Sequence, residues 1–131
     1  MIKLKGEKGT IDEIHTVLGL GSRFEGKLYF EGVVRIDGFF SGEIFTKGKL
    51  IVGEKGEVKG NIEVDEVDVA GIVEGNIVSS GKVWLRSSAR VFGDIQTRVF
   101  IVEEGALFNG VCKMERKIGS LQEEREFLQI P

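Results

Sequence analysis

A five-residue unit, apolar-x-Gly-x-apolar, recurs six times in this chain: Phe24/Gly26/Leu28, Phe40/Gly42/Ile44, Val58/Gly60/Ile62, Val73/Gly75/Ile77, Val91/Gly93/Ile95 and Phe108/Gly110/Cys112. The glycines lie 16, 18, 15, 18 and 17 residues apart. Self-similarity at a short, nearly constant spacing marks a solenoid, in which a repeat cannot bury its apolar face alone and covers it with the next. A second apolar alternation follows each of the first five units: Val34-x-Ile36, Leu50-x-Val52, Val67-x-Val69, Val83-x-Leu85 and Phe100-x-Val102. Residues two apart in a strand share a face, so these pairs aim inward while Arg35, Asp68 and Trp84 aim outward.

Short laps return through one glycine (Gly38, Gly71), whereas long ones insert two residues before Gly56 or Ala89. Such insertions belong at corners. A lap of 15 to 18 residues leaves three faces of about four or five residues each, hence a triangular cross-section. Six laps about 4.8 Å apart make a rod on the order of 25–30 Å long. Two ladders of like residues are expected inside it, one through Phe24, Phe40, Val58, Val73, Val91 and Phe108, the other through Leu28, Ile44, Ile62, Ile77, Ile95 and Cys112. The 19 glycines and a single proline, Pro131, suit stacked strands with tight corners, because proline would remove a ladder donor.

With 131 residues, one domain is expected, and a net charge of −3 gives no general attraction to nucleic acid or anionic lipid. One cysteine rules out an intrachain disulfide framework and fits a reducing compartment. No apolar run approaches 18 residues, and the start lacks the apolar stretch of a secretory signal, so a cytoplasmic location is expected. Residues 1–14 carry no repeat and read as a flexible tail, residues 15–115 as the coil, and residues 116–131 as a second tail. There, Ser120-x-x-Glu123 resembles a capping box and predicts a short helix through Leu128.

The order and unequal spacing of these motifs resemble the bactofilin family of bacterial cytoskeletal proteins. The matching stretches are HTVLGLGSRFEGKLYFEGVVRIDGFFSGEI from His15, LIVGEKGEVKGNIEVDEVDVAGIVEGNI from Leu50, VWLRSSARVFGDI from Val83 and IVEEGALFNGV from Ile101. The resemblance implies an all-β, single-stranded right-handed triangular β-helix of about six coils. It further implies spontaneous assembly, without nucleotide, into non-polar filaments. These would act as scaffolds in cell shape, cell-wall enzyme positioning or polar organisation, with cell-wall or polar proteins as partners. Many members carry longer proline-rich tails than this chain does.

A stack of strands has two ends with unpaired N–H and C=O groups and an apolar cross-section, and such edges invite a second copy unless a cap covers them. The candidate end faces are Leu18, Leu20, Phe24 and Leu28 in the first lap, and Phe108, Cys112 and Met114 in the last. The alternative is that the flanks fold over both ends. By resemblance, Phe108 matches an aromatic that helps hold subunits together. Met1-Ile2-Lys3-Leu4-Lys5 alternates apolar and basic side chains and resembles the short segment by which many bactofilins attach to the inner membrane. One copy would bind weakly, but a filament displays many.

Little chemistry is visible otherwise. His15, the only histidine, has no neighbouring Cys or second His. Cys112 falls on the isoleucine ladder and reads as a small core residue. Asp65, Glu66 and Asp68 read as solvated. Gly19-Leu20-Gly21 lacks the later glycine of a dinucleotide loop, and Trp84 and Tyr29 lack a basic stripe, so neither nucleotide nor nucleic acid is an expected partner. No cofactor or metal is expected. The rival reading is a hexapeptide-type left-handed β-helix acyltransferase, since steps of six occur from Val34 to Val64, but that frame slips by three between Ala70 and Val73. An ice-binding solenoid would need outward threonine arrays, and no Thr-x-Thr occurs.

Overall fold

A computed structural model of the chain describes residues 2–4, 16–118 and 122–130, with side chains over residues 16–114. Strand β1 (Ile2–Leu4) precedes a coil made of β2 (Thr16–Leu18), β3 (Arg23–Phe30), β4 (Val33–Ile36), β5 (Phe39–Thr46), β6 (Lys49–Val52) and β7 (Glu57–Val69). It continues through β8 (Ile72–Glu74), β9 (Ile77–Leu85), β10 (Arg90–Phe92), β11 (Ile95–Thr97), β12 (Val99–Val102) and β13 (Leu107–Ile118), and β14 (Gln122–Ile130) follows. Every pairing is parallel except that of β13 with β14. The chain is a parallel β-solenoid of about six turns.

Each lap lays three short stretches on those of the lap before. The first face carries residues 23–25, 39–41, 57–59, 72–74, 90–92 and 107–109. The second carries residues 28–30, 44–46, 62–64, 77–79, 95–97 and 112–114. The third carries residues 16–18, 33–36, 49–52, 66–69, 82–85 and 99–102. The register sets like on like as the spacing predicts: Phe24, Phe40, Val58, Val73, Val91 and Phe108 pair in sequence, as do Leu28, Ile44, Ile62, Ile77, Ile95 and Cys112. The third face contributes Val34, Leu50, Val67 and Val83 and, beside them, Ile36, Val52, Val69 and Leu85, all buried. Each buried branched or aromatic side chain contributes roughly 1.5–3 kcal/mol, so a narrow prism can hold without a globular core.

Corners absorb the unequal lap lengths. Turns closed by the N–H groups of Gly56 on Gly53 (2.8 Å) and of Ala89 on Arg86 (2.9 Å) hold the two inserted residues outside the ladder. At the bend between the first and second faces stands a column of glycines, Gly26, Gly42, Gly60, Gly75, Gly93 and Gly110, with φ from +136° to +159°. A side chain on Gly60 would overlap the Gly42 carbonyl oxygen, and the same holds one lap up and down. The unit therefore needs glycine because backbone passes directly over backbone, and, for all but Gly110, because φ lies where L side chains are strained.

Two expectations for the flanks are corrected. Residues 122–130 form β14 and not a helix: β13 offers an unpaired edge from Gly110 to Ile118, and an antiparallel return strand satisfies it. Tertiary pairing overrides the helical preference of the Glu-rich run. In the N-terminal tail, Ile2–Leu4 pair with Leu28–Phe30.

Three outcomes test this account. Gly60→Ala should lower the unfolding free energy by about 3 kcal/mol or more in urea titrations, from backbone overlap plus strain. Gly26→Ala, whose new methyl meets only the Phe24 ring at 3.8 Å, should cost about 1–2 kcal/mol, from φ alone. Burial pushes the Cys112 thiol up from 9.0 to about 11. The folded state then holds its proton where the unfolded chain releases it, so stability should fall as pH rises from 9.0 toward about 11, and Cys112→Ala should flatten that slope.

Candidate assembly surfaces at the two ends

The inward ladder of the third face is open at the last lap, and those of the first and third faces are open at the first lap. Leu85 is 0% exposed, whereas Val102, its ladder partner one lap further on, is 38% exposed, with no strand above it among the described residues. At the opposite end Leu18 and Phe24 are half-buried while Ile36 and Phe40, paired with them, are fully buried. Of the seven large apolar side chains that stand exposed among the described residues, five belong to the first or last lap: Val17, Leu20, Val99, Val102 and Leu107. Leu20 is the most exposed at 74%, carried on a turn closed by the Ser22 N–H on the Gly19 carbonyl at 3.0 Å. Among the described residues, β2 and residues 23–25 have no strand beneath them, and β12 and residues 107–109 none above.

The residues singled out in the sequence divide accordingly. Leu18, Leu20 and Phe24 lie on the open part of the first lap. Leu28 is buried at the edge paired with β1, and Cys112 is buried and in register with Leu128 of β14. Met114 is half-buried, in register with Glu126. Phe108 is 2% exposed, its ring edge-on to Phe100 at 5.5 Å, so it is the last rung of the core and not an open anchor. Ile2, Lys3 and Leu4 lie on the ladder through their backbone, while Met1, Lys5 and His15 lie outside the described residues. Val99, Val102 and Leu107 were not singled out. Val102 could have been found from its terminal rung on the third-face ladder, whereas nothing in the alternation distinguishes Val99 or Leu107 from solvated outward positions.

The flanks of the rod carry structure more than chemistry. On the third face Arg86 donates to Asp68 through Nε (2.8 Å) and Nη2 (2.6 Å) and to Glu103 through Nη1 (3.3 Å), and Trp84 Nε1 donates to Glu103 at 3.0 Å. The Arg86 guanidinium lies 3.9 Å over the Trp84 ring. Hydrogen bonding to Asp68, opposed by partial desolvation, holds the Arg86 pKa above its ordinary value. This cluster staples three successive laps from outside. Asp68 is thus a structural partner, and Asp65 accepts from Ser80 Oγ at 3.0 Å. A groove of about 700 Å³ runs along the second face past Tyr29 and Phe45, whose rings stack at 5.0 Å. Its buried hydroxyls are already engaged: Ser79 Oγ donates to the Asp65 carbonyl (2.7 Å), and Thr97 Oγ1 lies 3.2 Å from the Gly81 carbonyl. Among the described residues no group of three or more His, Cys, Asp and Glu is placed to hold a metal, and no helix is long and apolar enough to cross a membrane.

Comparison with known proteins agrees with this geometry. Residues 16–113 match the family model Bactofilin, described as polymer-forming cytoskeletal. The chain is 36% identical over 111 residues to Bactofilin BacO of Myxococcus xanthus, covering 85% of this chain and 88% of that protein. It is 34% identical over 118 residues to Bactofilin BacP of the same organism, covering 89% of this chain but 49% of BacP. The crystal structure of a phenylalanine-to-arginine mutant of bactofilin from Thermus thermophilus superposes with a TM-score of 0.64 at 32% identity, over 67% of this chain and 98% of that one. A six-lap parallel coil, matched by the family model over residues 16–113, places this chain in the bactofilin family of polymer-forming cytoskeletal proteins.

Proposed function

We propose that this protein is a non-enzymatic scaffold that assembles end to end, without nucleotide, into non-polar filaments. The filaments serve cell shape, the positioning of cell-wall enzymes or polar organisation in the cytoplasm. One observation carries the reading: among the described residues, the exposed large apolar side chains concentrate in the first and last laps, beside strand edges that lack a ladder partner. Unpaired edges next to an open apolar core are what a further strand needs for hydrogen bonds and burial together. The family description, polymer-forming cytoskeletal, supports the same assignment. Against the acyltransferase alternative stands the way corners take up laps of 15 to 18 residues, which strict hexads would not do.

The partners are other copies of the chain, the inner face of the inner membrane through residues 1–5, and cell-wall or polar proteins along the filament. Membrane contact through residues 1–5 requires the β1 stretch to leave the edge of Leu28–Phe30.

Purified protein without nucleotide should form thin filaments in negative stain, and uniform small particles at high concentration would refute end-to-end assembly. Val102→Arg sets a charge on the open terminal rung while leaving the buried rungs intact, and should raise the concentration needed for assembly at least tenfold with unchanged β-sheet circular dichroism. Phe108→Arg should also block assembly, but with a measurable loss of thermal stability, since Phe108 is a core residue. Deleting residues 1–5 should abolish co-sedimentation with anionic liposomes, and equal pelleting of both forms would remove that segment from membrane binding.

A further inference from the structure

Among the described residues, the first and third faces are six strands deep and the second is eight deep, because β1 adds below residues 28–30 and β14 adds above residues 110–114. Both tail strands therefore sit on the same face, at opposite ends of the rod. Their presence constrains how two copies can meet. For all three faces to close at one strand spacing of about 4.8 Å, each face must have the same number of strands inserted at the joint. Every joint brings two tail strands with it: two β14 where last laps meet, two β1 where first laps meet, one of each in a head-to-tail joint. Two strands cannot be divided evenly among three faces, whatever rotation the copies adopt. With both tails in place, at least one face stays open.

We infer that β14 and β1 are displaceable caps over the assembly surface, and that the edge from Gly110 to Met114 completes that surface for a second copy of this chain once β14 leaves it. This rests on the end-to-end reading above. The caps are built lightly. Three residues of β1 join the ladder. Only Glu126–Ile130 of β14 lie over the coil, since its other part pairs with Glu115–Ile118, where no strand of the coil continues among the described residues. There the register sets Glu115 opposite Arg125, Arg116 opposite Glu124 and Lys117 opposite Glu123. A two-stranded ribbon of this kind is marginal in water by itself, and its opening is local: it leaves the six-lap core untouched. Meanwhile the first- and third-face edges, which no described strand covers, lie beside the exposed Val17, Leu20, Val99, Val102 and Leu107, so a second copy has somewhere to bind before the caps move.

The experiment compares the full chain with a chain ending at Ile118 and with a chain spanning residues 6–118, reading the critical concentration for assembly by sedimentation and light scattering, with circular dichroism to confirm folding. The inference expects the critical concentration to fall at least fivefold on loss of β14 and again on loss of β1. Equal or higher values in the folded truncated chains overturn it while leaving end-to-end assembly standing, whereas absence of polymer from all three chains overturns both. A second variant keeps the chain whole: Val111→Cys with Gln129→Cys, residues opposite each other in β13 and β14, in a Cys112→Ala background. Oxidation pins the cap and should suppress assembly at least fivefold, with reduction restoring it. Identical assembly of the oxidised and reduced forms overturns the inference.

Discussion

The parallel backbone ladder between successive laps is the interaction on which the rest depends. Because each strand hydrogen-bonds to the strand one circuit earlier, the register of one lap dictates that of the next, and side chains are forced to stack like on like. The isoleucine column, the aromatic and valine column and the bare glycine column at the bend are three readouts of that one constraint. Gly42 over Gly26 and Gly60 over Gly42 bring backbone so close that no side chain fits between them. The core follows from the ladder, not the reverse.

That arrangement moves the interesting chemistry from the sides to the ends. Along the flanks, polar groups are occupied with holding laps together, as in the cluster of Asp68, Trp84, Arg86 and Glu103, and the hydroxyls beside the Tyr29 groove bond to backbone carbonyls. At the ends the first and third faces have no further ladder partner among the described residues. The family's description as polymer-forming cytoskeletal is intelligible in these terms.

Much of this is legible in the amino-acid sequence because glycine marks the phase. Once Gly26, Gly42, Gly60, Gly75, Gly93 and Gly110 are aligned, the inward residues on either side follow from strand alternation, and the pairings of Phe40 with Val58 or Ile62 with Ile77 are read off directly. The tails are not legible in this way. Gln122–Ile130 has no glycine to set its phase and is rich in good helix formers, and its state is decided by an edge on β13 that local propensity does not see. Phe108 is legible as an inward residue, but its being covered on the last rung, where Phe100 meets it edge-on from a neighbouring face, is not. The sequence shows where laps lie; what covers the final one is a tertiary question.

The turns that hold Glu54 and Lys55, or Ser87 and Ser88, outside the ladder have a consequence for how such a molecule can vary. A loop added there changes the outline of the rod at one height only, because the strands on both sides resume the same stacking. New loops, and any surfaces they bring, can therefore accumulate at the corners over evolutionary time without renegotiating the interior. The prism is a mounting rail whose fittings are independent of one another.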